Sequence, residues 1–151
     1  MGKAGKFLMD VGIRNLPFPI KVDSRAQPEG QATVADISIR ARIMQEFEAV
    51  WINKFIHIVH GHRDRIGTAT LRANIMDYLE ELNATAVEIE FAYPFFVEKT
   101  TPLSKEPCLV AYRCAYCARV SVVEKEPKIL QKIRVPAITT HPASSADRPA
   151  G

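Results

Sequence analysis

The sequence predicts an α+β fold: an antiparallel four-stranded sheet with two helices packed on one face, followed by one extra C-terminal strand. Three observations predict it. In "TVADISIRARI", Ile37, Ile39, Ala41 and Ile43 alternate with Ser38, Arg40 and Arg42, the period of a strand with one buried and one wet face. From Glu46 onward the apolar residues recur at three- and four-residue spacing, the period of a helix. Period two then returns in "TAVEIEFAYPFF" and persists through two further runs.

Each element has its own warrant. The first is "LPFPIKV" (16–22), short and extended, with prolines that suit an edge strand or a strand start. "DSRAQPEGQ" is polar and rich in turn formers, and the alternating strand follows it. Phe47, Val50, Trp51, Phe55, Ile58 and Val59 form the stripe of the first helix, with Gly61 as its stop. The second helix starts at Thr68 or Thr70 as N-cap, buries Leu71, Ile75, Tyr78, Leu79 and Leu82, and ends at Asn83. In the next strand Val87, Ile89 and Phe91 alternate with Glu88 and Glu90. A loop holding Pro102 and Pro107 leads to a long strand over 109–123, "EKEP" turns the chain, and "KILQKIRVPAI" is a fifth extended run. That run has no partner in the four-stranded scheme. The expected organisation is one module over 1–126, an extra strand over 127–139 and a flexible tail over 140–151. "IRNLPFPIKV" is also echoed by "QKIRVPAITT", which fits a second module opening near Lys128.

Bulk properties exclude several functions. The 151 residues fit one domain, and 47% hydrophobic with 25% charged residues is ordinary globular composition. A net charge of +3 without a long basic run gives no case for nucleic acid. The longest apolar stretches are too short to span a bilayer, and the N-terminus lacks a signal-peptide core. The expected setting is cytoplasmic, with no membrane partner.

Candidate chemistry is thin. Cys114 and Cys117 stand three apart in a strand, so they point to opposite faces and cannot share one ion; Cys108 is more distant still. His57, His60 and His62 cluster in "IHIVHGHRD", but His57 and His60 fall on the polar side of the helix without a third ligand. Asp77, Glu80 and Glu81 are the polar side of the second helix, with Arg72 available for helix pairing. Glu88 and Glu90 belong to the wet face of a strand. No phosphate loop or nucleophile elbow is present. From residue chemistry alone, catalytic residues are unknown and no cofactor-binding residue stands out.

Four stretches in order carry a resemblance. "DVGIRNLPFPIKV" (10–22), "QATVADISI" (31–39), "FFVEKTTPLS" (95–104, through Lys99, Pro102 and Ser104) and "RVPAITTHPAS" (134–144) resemble motifs of the GTP cyclohydrolase IB family, of the tunnelling-fold (T-fold) superfamily. The resemblance implies the T-fold order ββααββ, with this chain as the first of two tandem modules plus the opening strand of the second. It implies association of sheets into a barrel, as a homo-oligomer or with a related T-fold subunit, and a purine or pterin ligand at an interface. Open sheet edges agree with such closure. The implied reaction is hydrolysis of GTP to a dihydroneopterin phosphate and formate, using water activated by zinc or manganese.

Within that resemblance, His141 falls where the family has a ligand cysteine of "Cys-Pro-Cys-Ser", making it the candidate metal ligand, while the second cysteine falls on Ala143. The sequence given stops at Gly151, before the position of the family's next ligand. The family's "Lys-Gly-Thr-His-Met-Ser-Arg-Phe" falls on "EAVWINKF" (48–55), where Trp51 replaces the histidine, Lys54 replaces the arginine and Phe55 is kept. Lysine cannot reproduce a bidentate guanidinium contact. Two expectations follow: a GTP cyclohydrolase-like subunit completed by groups from another chain, or a non-catalytic T-fold paralogue acting as a binding or structural subunit. A truncated reading frame of an ordinary enzyme is a third.

Overall fold

A computed structural model describes residues 7–135. The strands are β1 (Leu8–Val22), β2 (Gln31–Met44), β3 (Ala84–Thr100), β4 (Pro107–Ser121) and β5 (Lys128–Arg134); the helices are α1 (Trp51–His62) and α2 (Thr68–Glu81). All five strands form one sheet in the order β1-β2-β3-β4-β5, antiparallel throughout. The order ββααββ with a further strand is thus the observed one. The fifth strand does have a partner: β5 pairs with β4 from Arg119↔Lys128 to Arg113↔Arg134 and forms the far edge.

The helices form a hairpin between β2 and β3. One helix would leave the chain at the opposite end of the sheet and call for a parallel strand. Two helices return it to the end it left, so β3 begins with Ala84 beside Ile43 and runs antiparallel to β2. The apolar stripe of α1 (Trp51, Phe55, Ile58, Val59) and that of α2 (Leu71, Ile75, Tyr78, Leu79) lie against one face of the sheet. There they meet Ile37, Ile39 and Ile43 of β2 and Ile89 and Phe91 of β3, all at most 1% exposed. Burying this many large side chains, each worth about 1.5–3 kcal/mol, is the main source of stability.

The strand expected over 109–123 after a loop holding Pro107 runs over Pro107–Ser121, and Phe47 and Val50, expected on the stripe of the first helix, precede α1, with Val50 exposed. Three further boundaries differ from the sequence reading, each for a local reason. β1 begins at Leu8, eight residues before 16, because a bulge interrupts its alternation. Between Ile13↔Ile39 and Leu16↔Ile37, β1 spends one residue more than β2. Val11 and Ile13 before the bulge and Phe18, Ile20 and Val22 after it therefore point to the same core despite opposite parity. Asn15 adopts φ 55° at this step and donates its N–H to Ser38 Oγ at 3.1 Å. Helix α1 continues through Gly61 to His62, since a side chain at Gly61 would meet no atom within 4 Å and the position makes no packing demand. Helix α2 is preceded by Gly67, not capped by Thr68 or Thr70; the Thr70 hydroxyl instead donates to the Gly67 carbonyl at 3.0 Å. Asn83 ends the helical segment at φ 53°, as a left-handed terminator does.

Arg72 is not used in helix pairing. Its guanidinium donates to the Pro127 carbonyl at 3.1 Å, tying α2 to the β4–β5 turn. The expected tail over 140–151, and His141 with it, lies outside the described residues.

Candidate functional site

The helices cover one face of the sheet and leave the other open. Alternation decides what that face carries. With Ile37, Ile39 and Ala41 turned to the core, β2 presents Asp36, Ser38, Arg40 and Arg42 on the open side. By the same rule β3 presents Glu88 and Glu90, β4 presents Arg113, Cys117 and Arg119, and β5 presents Lys132 and Arg134.

At the end nearer the β4–β5 turn the charges are paired. Arg42 grips Asp10 with two bonds, Nε to Oδ1 at 2.9 Å and Nη2 to Oδ2 at 3.3 Å. That hydrogen bond holds the Asp10 carboxyl below its ordinary range and raises the Arg42 guanidinium. Arg40 pairs with Glu88 across the β2–β3 ladder, and its hydrogen bond to Glu88 raises Arg40 likewise. The pairs border a shallow cavity of about 730 Å³, kept open by the small residues Gly12, Ala86 and Ser121. A general base near neutral pH needs a raised carboxylate pKa; Asp10 is lowered.

The second cavity, about 490 Å³, lies toward the free end of β5 over Ala92 and Ala115. Ala115 is only 7% exposed although it is on the open face, because longer side chains stand around it. Arg113 and Arg134 are direct cross-strand partners here, with Lys132 two residues from Arg134. Asp36 and Glu90 line the opposite, β2–β3 side.

The cysteines divide as alternation requires. Cys114 is buried toward the helices, Cys117 is half-buried on the open face, Cys108 is exposed, and all three are free. Burial raises the thiol pKa of Cys114; burial and then the Glu90 charge raise that of Cys117. Neither is an activated nucleophile, which needs a lowered pKa. His57 and His60 are exposed on α1; the His60 and Phe18 rings form a T-shaped pair with centres 4.9 Å apart, and His62 Nε2 reaches Asp77 at 3.3 Å on the neighbouring helix. Among the described residues no three His, Cys, Asp or Glu come together as a metal site. These residues do not by themselves fit a zinc or manganese ion.

Motif residues have structural work. Trp51 is in the core at 5% exposure, its ring 6.4 Å from Phe55, and the Lys54 ammonium lies 5.3 Å from the centre of the Phe47 ring. Lys99 stands over the Tyr112 ring at 5.4 Å. In the β3–β4 turn the hydroxyls of Thr101 and Ser104 bond to each other, and Thr101 Oγ1 accepts the Glu106 N–H at 2.9 Å. Sequence reasoning missed the role of Gln31 and Thr33, which tie β2 to β3 beyond their main-chain ladder. It also missed the Arg113–Arg134 pair, which only the β4–β5 register reveals.

The fold and this face define an α+β sheet domain with a helix-covered core and a charged open face. Residues 4–148 match the family model described as type I GTP cyclohydrolase folE2, and the chain belongs to that family. It is 29% identical over 136 residues to the GTP cyclohydrolase FolE2 of Nitratidesulfovibrio vulgaris strain Hildenborough, covering 90% of this chain and 50% of that protein. It is 30% identical over 136 residues to the GTP cyclohydrolase FolE2 of Methylococcus capsulatus strain Bath, with the same coverage. To that of Geobacter metallireducens it is 25% identical over 134 residues, 89% of this chain and 50% of that protein. The expected GTP cyclohydrolase kinship therefore holds at the level of family, under the folE2 description. The chain spans about half the length of the curated relatives it matches. No helix among the described residues is long and apolar enough to cross a membrane.

Proposed function

We propose that the chain is a T-fold module of a GTP cyclohydrolase of the IB class, forming part of an oligomeric barrel in which GTP is opened hydrolytically with loss of formate. The observation supporting this reading is the five-stranded antiparallel sheet in a member of the folE2 family, with its helices on one face; among the described residues β5 has no outer neighbour, and β1 has one only at Lys21–Asp23, which bond to Arg63 and Ile66 of the α1–α2 connection. Unpaired edges are templates for another sheet, and closure by a homo-oligomer or a related subunit satisfies their main-chain groups. The purine would then sit at an interface between modules. Metal binding enters through His141 and groups from other segments or chains, and no step is assigned to the described residues.

A second reading, a non-catalytic binding or structural subunit, is favoured by Trp51 and Lys54. At positions where the resemblance has histidine and arginine, one side chain is in the core and the other lies over Phe47. The test is an assay of the purified chain with GTP and zinc or manganese, following formate and the fluorescent pterin formed after oxidation. The chain alone is expected to give neither product. Restoration of both by an added polypeptide carrying the second half of a family member supports the cyclohydrolase reading; failure to restore them at stoichiometric association supports the non-catalytic one. Turnover by the isolated chain would overturn the assignment of catalytic and metal-binding groups to other polypeptides.

A further inference from the structure

Arg113 and Arg134 face one another across the β4–β5 ladder on the open side of the sheet, and Lys132 adds a third cation within the same cavity. Like charges placed directly opposite in a sheet are destabilising. Elsewhere on this face carboxylates meet the cations: Arg40 meets Glu88, Arg42 meets Asp10, and Lys128, itself opposite Arg119, meets Glu124. Among the described residues, no carboxylate is within salt-bridge distance of Arg113, Lys132 or Arg134. The floor between the strands is Ala92 and Ala115, so about 490 Å³ stays open beside the cations.

We infer that this cavity binds a phosphate-bearing anion, held between the Arg113 and Arg134 guanidinium groups with Lys132 as a third donor. Guanidinium offers paired N–H donors that match phosphate oxygens, and two of them on adjacent strands can bridge one polyanion. Asp36 and Glu90 on the far side of the cavity repel that anion, so its charged end lies toward β5. A nucleotide would place its N–H donors against those carboxylates; free pyrophosphate would use only the β4–β5 side. The inference concerns binding alone and is independent of whether the chain turns over GTP.

The test uses the full chain, with pyrophosphate and GTP as probes in thermal unfolding and calorimetric titration at fixed ionic strength. Pyrophosphate is expected to raise the unfolding midpoint. Arg113→Gln and Arg134→Gln are each expected to weaken binding at least tenfold and to abolish the shift together. Without anion, the single variants should unfold at or above the wild-type midpoint, since each removes a like-charge pair. Arg119→Gln removes the same charge from the same face outside the pair, opposite Lys128, and should bind as wild type. Tighter GTP than pyrophosphate binding, lost in the same variants, identifies the source as a nucleotide; equal affinity identifies the free anion. Equal weakening by Arg119→Gln, an identical shift from chloride at matched ionic strength, or binding of a polyglutamate peptide in place of pyrophosphate would each overturn the proposal.

Discussion

The side-chain amide of Gln31 holds both main-chain polar groups of Phe96, accepting the N–H at 2.7 Å and donating to the carbonyl at 2.9 Å. It does so where the main-chain ladder between β2 and β3 has ended, the last pair being Asp36↔Ala92. Thr33 continues the same device by donating Oγ1 to the Pro94 carbonyl at 2.8 Å. Pro94 and Phe96 are two apart and face β2 with the same side of the backbone, so the N–H that proline lacks would have pointed into this gap. Two side chains of β2 thus replace the ladder and fasten the outer part of the β3–β4 ribbon.

Gln31→Ala is expected to cost about 1–2 kcal/mol, the net worth of two hydrogen bonds. It should also speed amide exchange at Phe96. Gln31→Glu keeps the acceptor for the N–H but turns a second acceptor toward the carbonyl, so it should fall between. Exchange measured by NMR decides the matter: an unchanged Phe96 rate in Gln31→Ala would mean that the ribbon is held by something else.

Gly12 marks a close approach of β1 to β2, one residue ahead of the Ile13↔Ile39 pair that precedes the bulge. A Cβ there would lie 2.7 Å from the Ile39 carbonyl oxygen, a backbone atom that cannot swing away. Gly12→Ala should destabilise the fold by about 1–3 kcal/mol, the usual cost of overpacking. In urea the midpoint should fall with an unchanged slope. A midpoint within error of wild type would show that β1 can move off the sheet.

How far the sequence revealed this structure depends on what each signal measures. Alternation in β2 was plain because Ile37, Ile39 and Ile43 are buried while Arg40 and Arg42 are not. The first half of β1 was hidden because the one-residue bulge changes parity between Ile13 and Leu16, and a period-two reading cannot cross it. The fifth strand was visible as a strand, but its neighbour was not, since pairing is a property of register. The open face fared worst. Arg113 and Arg134 lie 21 positions apart in the sequence and become partners only through the β4–β5 hairpin. The Gln31 motif was seen, yet its role rests on a backbone 65 residues away.

The free cysteines should separate by exposure. Cys108 is open to solvent on the ribbon, whereas Cys114 is buried and both Cys114 and Cys117 have thiol pKa values raised chiefly by burial. Iodoacetamide on the native protein should therefore modify Cys108 first, Cys117 more slowly and Cys114 last. Peptide mass analysis over a time course gives the order. Early modification of Cys114 would contradict its placement beneath the helices.

Alkaline stability follows from the tyrosines. Burial raises the phenol pKa of Tyr78, Tyr93 and Tyr116 in the folded chain. The native state then keeps protons that the unfolded state has begun to lose, so stability falls as pH rises above the unfolded tyrosine value of about 10 and is intact below it. The raised cysteines act in the same direction from about pH 8.5. Urea midpoints should be level from pH 7 to 8 and decline steadily above. Tyr78→Phe removes one such group and should flatten the decline; an equally steep decline in that variant would remove Tyr78 as a cause.

Trp51 provides the sharpest check on how the resemblance maps onto this chain. Restoring the family residue by Trp51→His would yield a metal-binding side chain only if position 51 opened onto a site. Here the indole is 5% exposed and packs beside Phe55, so the substitution puts a smaller, polar ring into the core. The expected cost is about 3–5 kcal/mol, that of truncating a buried aromatic. Zinc affinity, measured by competition with a chromogenic chelator, should remain that of the unaltered chain. Tighter zinc binding by a stably folded Trp51→His variant would show that the start of α1 borders a metal site after all, and the non-catalytic reading would lose its main support.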